Sequence, residues 1–325
     1  MKPPLVSVVT PFYNSAQYLA ECIESVLAQT HGEFEYILSD NCSTDGSTDI
    51  AESYARRDSR IRFIRQPQFL SQVAHYNSAL AAISDASQYC KMVQADDFIF
   101  PDCLRLMVQV FQQSDTIGLV SSYDLKGNTV RGSGFPYPTT FLPGREMGRA
   151  YLRNNSVYVF GSPSTLMYRS SLVRDERPFF DESLLPEDVE KCMQILEHSD
   201  FGFVHQVLSY LRVSSESITG QVRSLQPGIL DLYIVVQRYS PRFLDADEAA
   251  EVKHRNKQLY YRVLAHEALR RREPAFWKYH ERGLKTLGEK LDRPYLAKQM
   301  LREVLILLAN PGTTAARLVR RFRQS

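Results

Sequence analysis

Two adjacent carboxylates, Asp96 and Asp97, follow the compact apolar segment Tyr89–Val93. Neighbouring carboxylates repel each other and are costly to remove from water unless a cation or a hydrogen-bond donor balances their charge. A Mg²⁺ or Mn²⁺ ion that bridges them to a diphosphate would provide this balance, because such ions combine a few protein carboxylates with phosphate oxygens. The alternative is structural, since either aspartate could cap the helix predicted to begin near Pro101. The pair by itself leaves both interpretations open.

A second polar segment, Ser39–Thr48, follows another apolar run and contains Asp40 and Asn41. The side-chain oxygens of these two residues could accept hydrogen bonds from a nucleobase N–H and from ribose hydroxyls. Serine-, threonine- and aspartate-rich turns also arise as simple helix caps, so the segment alone does not decide.

Two further segments contain residue types that suit a ligand or an acid–base reaction. In Thr10–Asn14, Pro11 fixes the backbone and Tyr13 offers an aromatic face to a base. In Leu185–Glu190, the predicted first turn of a helix carries several carboxylates, and a helix N-terminus favours the ionised form that a general base needs. An acidic first turn is also an ordinary helical feature.

The segments that must position these residues alternate between two periodicities over the first 120 residues. Compact β-branched runs alternate with amphipathic helical stripes, which is typical of a parallel, doubly wound α/β sheet. We predict strands at Val6–Thr10, Glu35–Ser39, Ile61–Arg65, Tyr89–Val93, Ile117–Ser122, Thr165–Arg169 and Val204–Val213. Ligands of such sheets bind beyond the carboxyl ends of the strands, where the polar segments lie.

The composition divides the chain of 325 residues into two parts. Residues 1–220 contain 18 Lys+Arg and 26 Asp+Glu, whereas residues 221–325 contain 21 Lys+Arg and 11 Asp+Glu, so the net charge changes from −8 to +10. The second part is also predicted to be helical almost throughout. We therefore predict a catalytic domain at 1–220 and a basic helical region at 221–325.

The compartment is predicted from what the sequence lacks. The five cysteines are scattered without any Cys-x-x-Cys pair, which favours reduced thiols in the cytoplasm. No apolar run reaches the roughly 18 residues of a membrane-spanning helix, and the apolar run near the start is too short for a signal peptide. We expect a cytoplasmic protein, free or attached peripherally to the inner face of the plasma membrane.

Taken in order, four segments resemble glycosyltransferase family 2: Val6–Asn14, Ser39–Thr48, Ala95–Asp102 and Glu187–Asp188. The resemblance spans about residues 5–220 and implies the GT-A fold, a Rossmann-like and mostly parallel sheet, here with a C-terminal helical appendage. It implies an inverting enzyme that moves a sugar from a nucleotide-diphosphate-sugar to an acceptor hydroxyl. The acceptor would be a saccharide or a lipid-linked molecule in surface polysaccharide or glycolipid assembly, and the cofactor Mn²⁺ or Mg²⁺.

The resemblance also implies roles for individual residues. The residues that would surround the nucleotide are Thr10, Pro11, Tyr13, Asp40, Asn41 and Asp96. Asp97 would coordinate the metal on the diphosphate, with Asp96 touching ribose or the metal. Asp188 would be the general base, and Glu187 would lie on the acceptor side.

The sequence departs from the family pattern at two of these segments. Asn41 stands where the family often has a second aspartate, and Cys42 stands where glycine is common. Ser214 occupies a place where a histidine commonly approaches the metal. The identity of the nucleobase and of a third protein ligand to the metal are therefore open.

Residues 294–325 combine an apolar helical stripe with an arginine-rich end (Arg317, Arg320, Arg321 and Arg323). A basic amphipathic segment can lie on an anionic membrane surface. Alternatively, the stripe packs on the catalytic domain and the arginines are solvated. Nucleic acid is not an expected partner, because no aromatic platform accompanies the basic residues.

Two other functions remain as alternatives to a transferase. One is a non-catalytic sugar-nucleotide-binding or scaffold protein on the same fold. The other is a sugar nucleotidyltransferase, which usually has a Gly-rich, basic loop after the first strand; Thr10–Gln17 contains neither glycine nor a basic residue.

Overall fold

The computed structural model describes residues 2–153, 159–182, 187–213, 223–270 and 273–309. The chain divides into two compact units, Met1–Ser217 and Ile218–Ser325, and each is described by itself. In the parts of the chain just given, no helix is both long and apolar enough to cross a membrane.

The described residues of the first unit contain ten strands in one sheet. They are β1 Val6–Phe12, β2 Phe34–Asp40, β3 Ile61–Arg65, β4 Tyr89–Met92, β5 Phe98–Ile99, β6 Ile117–Lys126, β7 Thr129–Arg131, β8 Phe141–Leu142, β9 Met167–Arg169 and β10 Asp200–Leu211. The main path runs β3-β2-β1-β4-β9-β6-β10-β5, with β7 paired to β6 and β8 paired to β10.

In the same described residues, seven helices accompany this sheet. They are α1 Leu19–Leu27, α2 Ser47–Ala55, α3 Gln72–Leu80, α4 Cys103–Phe111, α5 Gly144–Arg153, α6 Ser170–Asp175 and α7 Glu187–Leu196. The predicted α/β architecture is confirmed, because β1 to β4 form a parallel block with helices between successive strands. The predicted strand at Thr165–Arg169 is shorter than expected, since Pro163–Thr165 forms a 3-10 turn.

Both faces of the central strands are covered, which explains why their sequences are largely apolar without strict alternation. Every residue of β1 is buried, as expected for a parallel strand with helices on both sides of its sheet. Helix α1 presents Leu19, Cys22, Ile23 and Val26 to this core.

The parallel strands are in register, so their carboxyl ends meet at one edge of the sheet. Phe12 at the end of β1 pairs with Asp40 at the end of β2, and Asp40 pairs in turn with Arg65 at the end of β3. On the other side of β1, Val9 pairs with Met92 at the end of β4. The loops that follow these four strands therefore converge.

The far half of the sheet is mixed and brings distant segments to the same edge. Strand β9 runs antiparallel to both β4 and β6, and β10 runs parallel to β6 with irregularities in register. The short strand β5, which follows the Asp96–Asp97 pair, is antiparallel to β10, with Ser209 opposite Ile99. This pairing places the end of β10 beside the acidic pair.

The second unit is helical in the part of the chain described. Its helices are α8 Pro227–Phe243, α9 Ala246–Leu269, α10 Pro274–Thr286 and α11 Arg293–Ala309, preceded by a 3-10 turn at Arg223–Leu225. Aromatic rings form much of its core, where Tyr233 stacks on Tyr260 with 4.5 Å between ring centroids. The hydroxyl of Tyr260 is hydrogen-bonded to His280 Nδ1 at 3.0 Å.

Candidate active site

Asp97 lies in the turn between β4 and β5, and only 4% of the residue is exposed. Its Oδ2 accepts a hydrogen bond from Ser164 Oγ at 2.6 Å, and its Oδ1 accepts one from the backbone N–H of Arg212 at 3.0 Å. Burial, followed by the charge of Asp96, raises the pKa of Asp97 to about 7, although these two hydrogen bonds favour the ionised form. The carboxylate is therefore held in place but lacks a full counter-charge.

Asp96 is half-buried, and burial also raises its pKa, against the attraction of Arg212 and Lys126. Within the described residues, no other residue donates a hydrogen bond to its carboxylate. Neither aspartate caps α4, because the N-cap of that helix is Asp102. The capping interpretation of the pair is therefore wrong.

Arg212 holds the acidic pair from the end of β10. Besides its backbone bond to Asp97, its Nε donates to the carbonyl oxygen of Asp96 at 3.0 Å. The guanidinium forms an ion pair with Glu21 and lies 4.2 Å from the ring centroid of Tyr18. Arginine suits this place because its planar, forked guanidinium can make several such contacts at once.

Ser164 is held in turn by a buried lysine. The Nζ of Lys91, a fully buried residue of β4, donates to the carbonyl oxygens of Ser164 at 2.8 Å and Leu166 at 3.3 Å. The Ser164 hydroxyl oxygen accepts the backbone N–H of Gln94 at 3.0 Å while its hydrogen points to Asp97. Burial lowers the pKa of Lys91.

Asp40 and Asn41 lie at the end of β2, but their side chains are engaged within the protein. Oδ1 of the fully buried Asp40 accepts the backbone N–H of Ser43, and Oδ2 accepts the Thr48 hydroxyl, each at 2.8 Å. The Asn41 amide makes two bonds to the backbone of Leu70: Nδ2 donates to its carbonyl oxygen and Oδ1 accepts its N–H, both at 2.9 Å.

The Asn41–Leu70 bonds fix the loop that carries Phe69, a residue that sequence reasoning missed. Phe69 is 61% exposed and meets the 47% exposed Tyr13 edge to face, with 4.9 Å between ring centroids. Two exposed aromatic rings in contact, one after β1 and one after β3, form a small apolar surface at the edge where the strands end.

The backbone under these rings is closely tied. Asn14 and Cys42 have left-handed φ values of 47° and 64°, an uncommon conformation for residues other than glycine. Asn14 Oδ1 accepts the backbone N–H of Thr44 at 2.8 Å, and the Asn14 N–H donates to Ser43 Oγ at 3.0 Å. The loops after β1 and β2 are thus bonded to each other.

Thr10 and Pro11 lie inside β1 and are buried. The Thr10 hydroxyl is 3.0 Å from that of Tyr36, so it contributes to the interior beneath the site. Neither residue faces the open edge of the sheet in the way that Tyr13 does.

Asp188 lies in the first turn of α7 and is half-buried. Its charge contributes, after burial, to raising the pKa of Cys192 one turn further along the helix. The Glu187 side chain and Ser214 lie outside the described residues.

The described residues contain no group of three His, Cys, Asp or Glu side chains that could hold a metal ion by themselves. Asp96 and Asp97 nevertheless fit a cation that is shared with a ligand. Each oxygen of Asp97 accepts one hydrogen bond from the protein and retains a lone pair. Magnesium-type sites commonly combine one or two carboxylates with substrate phosphates and water.

Comparison with known proteins identifies the family and the fold. The family model described as "Glycosyl transferase family 2" matches residues 7–175, more than half of the chain. The chain belongs to glycosyltransferase family 2. Ser164 lies within the residues that match the family model, and Arg212 lies beyond them.

Among curated members, the putative teichuronic acid biosynthesis glycosyltransferase TuaG of Bacillus subtilis is 32% identical over 122 residues, which are 38% of this chain and 48% of TuaG. The chain spans about half or less of the length of the first curated relatives it matches. The likeness in sequence to these relatives therefore covers only part of each protein.

Solved structures show the same fold. TarS 1–349 of S. aureus in complex with UDP superposes with a TM-score of 0.56 and 19% identity, covering 79% of this chain and 71% of that chain. The mannosyltransferase PcManGT of Pyrobaculum calidifontis, in complex with GDP-Man and Mn²⁺, has a TM-score of 0.54 and 13% identity, covering 94% and 88%. The predicted GT-A fold is confirmed.

Proposed function

We propose that this family 2 member is an inverting, metal-dependent glycosyltransferase that moves a sugar from a nucleotide-diphosphate-sugar to an acceptor hydroxyl. The observation that carries the proposal is the acidic pair: Asp97 is buried with its pKa raised to about 7, and Asp96 lies half-buried beside it. Two carboxylates kept together against burial and mutual repulsion suit a divalent cation. The UDP bound to TarS and the GDP-Man and Mn²⁺ bound to PcManGT support a nucleotide-sugar donor and a cation.

The nucleoside would lie against the exposed rings of Tyr13 and Phe69. A base stacked on such rings loses water from its faces, and alanine substitution of stacking residues typically costs about 1–3 kcal/mol per base. Asp40 and Asn41 would define the base pocket through the loops that they hold, because their hydrogen-bonding groups are already used by the protein. Thr10 and Pro11 would support that pocket from inside β1.

Asp97, with Asp96 beside it, would hold Mn²⁺ or Mg²⁺ on the donor diphosphate. When bound, the cation neutralises the negative charge that develops on the departing nucleoside diphosphate. Ser164 and Arg212 keep the Asp97 carboxylate in position for this role, since their hydrogen bonds fix both of its oxygens.

Asp188 would act as the general base, with Glu187 on the acceptor side. It lies in the first turn of α7, where the helix N-terminus favours the ionised carboxylate. Removal of the acceptor hydroxyl proton allows that oxygen to attack the anomeric carbon from the face opposite the nucleotide. One such displacement inverts the configuration of the sugar and needs no covalent enzyme intermediate.

The test is a screen of nucleotide-sugars by thermal shift, with Mn²⁺, Mg²⁺ or EDTA, followed by product analysis with saccharide and lipid-linked acceptors. We expect one donor to stabilise the protein only when a cation is present. Asp97→Asn should abolish this stabilisation, whereas Asp115→Asn, an exposed aspartate in the loop after α4, should keep it. Asp188→Asn should bind the donor but lose at least about 100-fold in transfer rate, since general-base catalysis contributes 10²–10⁴-fold.

Two outcomes would count against the proposal. Transfer at the parental rate by Asp188→Asn would remove Asp188 as the base. Donor binding without transfer to any acceptor would favour the sugar-nucleotide-binding alternative.

We also propose an acceptor in surface polysaccharide or glycolipid assembly, reached at the inner face of the plasma membrane. The name of TuaG, which refers to teichuronic acid biosynthesis, supports a surface polysaccharide. All five cysteines are free, which fits a reducing compartment. Helix α11 exposes Leu301, Leu305 and Leu308, by 62%, 56% and 71%.

These leucines are spaced to form one apolar face toward the end of α11, and the arginine-rich residues that follow lie outside the described part of the chain. An apolar face next to basic residues suits an anionic bilayer surface. Flotation with phosphatidylglycerol vesicles tests this. The full chain should float, and both a truncation after residue 310 and Leu301→Gln/Leu305→Gln/Leu308→Gln should float less. Unchanged flotation of both variants would refute membrane contact through 294–325.

A further inference from the structure

The helical unit contains a cleft of about 440 Å³ that the transferase proposal does not use. It lies among α8, α9 and the loop between α10 and α11, with the buried residues Tyr233 and Tyr261 in its lining. The Tyr233 hydroxyl donates to Glu289 Oε2, and the Tyr261 hydroxyl accepts the backbone N–H of Asp292, each at 2.9 Å. These bonds tie the loop to the helices, so the cleft has a fixed wall.

The charged groups of this cleft are not balanced. Lys257 Nζ lies 3.1 Å from Asp292 Oδ2, and Glu289 accepts the Tyr233 hydroxyl. Lys253 and Lys290 also line the cleft, and within the described residues neither has a hydrogen bond or an ion pair. Three lysines thus face two carboxylates that already have partners. An excess of ammonium groups beside aromatic walls attracts an anionic group, and phosphate is one that lysine commonly binds.

A second cleft, also of about 440 Å³, adjoins the first at Lys253, which lines both. The second cleft is largely apolar, and its lining includes Pro241, Leu244, Ala249 and Ala250. The carboxylate in its lining, that of Asp245, caps α9 and accepts the backbone N–H of Glu248 at 2.9 Å. A free inorganic phosphate would leave this apolar cleft empty. Lys253 lies between a cationic cleft and an apolar one. The methylene chain of a lysine is apolar and its ammonium group is charged, so this position suits a ligand that has both an apolar and an anionic part.

We propose that the helical unit binds a phosphate ester that carries an apolar chain. The phosphate would lie beside Lys253 and Lys290, and the chain would lie along Pro241–Ala250. The inference does not depend on the transferase proposal, because none of these residues belongs to the acidic pair or its supports. A lipid headgroup and a free phosphorylated metabolite share the phosphate chemistry, and only the first also fills the apolar cleft.

The experiment is calorimetric titration of the full chain with three probes: decyl phosphate below its aggregation concentration, inorganic phosphate and decyl maltoside. We expect decyl phosphate to bind at least tenfold more tightly than inorganic phosphate, and decyl maltoside not to bind measurably. Equal affinity for decyl phosphate and inorganic phosphate, or equal affinity for the two decyl compounds, would overturn the proposal.

Two variants locate the two ends of the ligand. Lys253→Ala/Lys290→Ala should weaken decyl phosphate binding at least tenfold. The charge-matched control Lys278→Ala/Lys298→Ala removes two exposed lysines that do not line either cleft and should bind as the parent does. Ala250→Trp, at an exposed position of the apolar cleft, should reduce decyl phosphate affinity to the level of inorganic phosphate. An equal loss in the control, or no loss in Ala250→Trp, would refute the site.

Folding and donor binding are measured in the same proteins. If the double alanine variant melts lower than the parent, Lys253→Gln/Lys290→Gln keeps longer side chains and replaces it. Donor-induced thermal stabilisation should be unchanged in every variant, so that failure of the phosphate-ester site and failure of the transferase proposal give different results.

Discussion

The hydroxyl oxygen of Ser164 lies 2.6 Å from Oδ2 of Asp97, although 67 residues separate them in the sequence. The turn that carries Ser164 is fixed by the buried ammonium of Lys91. The position of Asp97 therefore depends on a hydrogen-bond network that begins in β4 and returns through the turn before β9. Removing one member of that network should change how the acidic pair binds a cation without altering the pair itself.

Ser164→Ala should raise the pKa of Asp97 above about 7, because it removes a hydrogen bond that favours the ionised carboxylate. Cation binding requires that carboxylate to be ionised. Metal-dependent binding of the donor identified in the screen should weaken as the pH falls through 7, by up to about tenfold per pH unit. In Ser164→Ala the same decline should begin at higher pH. Calorimetry at pH 6, 7 and 8.5 measures both curves, and coincident curves would show that the serine does not tune Asp97.

Asp97→Asn should remove a pH dependence of stability in the metal-free protein. The pKa of Asp97 in the folded state is raised from 3.8 to about 7. Protonated Asp97 is therefore tolerated better in the folded protein than ionised Asp97, and this contribution to the free energy of unfolding is fully present below pH 3.8 and is lost as the pH rises through 7. At pH 8 in EDTA, the variant should melt at least about 2 °C above the parent, the scale of shift expected from a change of under 1 kcal/mol. The difference should vanish near pH 4. Calorimetric melting across this range measures it, and a variant that is less stable than the parent at pH 8 would contradict it.

Arg212→Ala should weaken donor use while leaving the backbone bond to Asp97 available. The substitution removes the Nε bond to the Asp96 carbonyl and the ion pair with Glu21. Hydrogen bonds to charged groups are worth about 1.5–3 kcal/mol, so kcat/KM for the donor should fall about 10- to 100-fold. Arg212→Lys keeps the positive charge but loses the forked guanidinium, so it should recover only part of the lost kcat/KM. Arg105→Ala, which breaks an ion pair with Asp102 on α4, is the matched control and should be neutral.

Phe69→Ala should raise the donor KM about tenfold with little change in kcat, because the ring would contact the nucleobase and not the reacting atoms. Tyr137→Ala removes another exposed ring, 81% exposed, and should have no effect. Steady-state kinetics with the selected donor separates KM from kcat. An equal fall of kcat in Phe69→Ala would place Phe69 nearer to the chemistry than we propose.

The strands and their ends could be predicted because each depends on local sequence. The short, largely apolar runs between Val6 and Met92 alternate with helical stripes, so both the parallel sheet and the edge that gathers Tyr13, Asp40 and Asp97 follow from periodicity and topology. The same reasoning left the capping interpretation of the acidic pair open, because it placed the start of α4 only approximately, near Pro101, and did not identify Asp102 as the N-cap.

Arg212, Ser164 and Phe69 could not be predicted in this way. Each reaches the site through pairing that local patterns do not contain: β10 against β5, the turn before β9 against β4, and Asn41 against Leu70. One signal was present, since Lys91 is a single charge inside an otherwise apolar buried strand. A charge in such a place requires partners, and those partners include the carbonyl oxygen of Ser164.

The short antiparallel pairing of β5 with β10 also limits how far this chain can be dissected. The family match ends at residue 175. Arg212, beyond that point, donates its backbone N–H to Asp97 Oδ1 and its Nε–H to the carbonyl oxygen of Asp96. A fragment that ends at residue 175 would contain Asp96, Asp97 and Ser164 but would lack Arg212 and its hydrogen bonds to the acidic pair. A fragment made to test the proposed donor binding must therefore extend at least through Arg212, the residue after β10, and chimeras between relatives should exchange the acidic turn and the segment that ends at Arg212 as one piece.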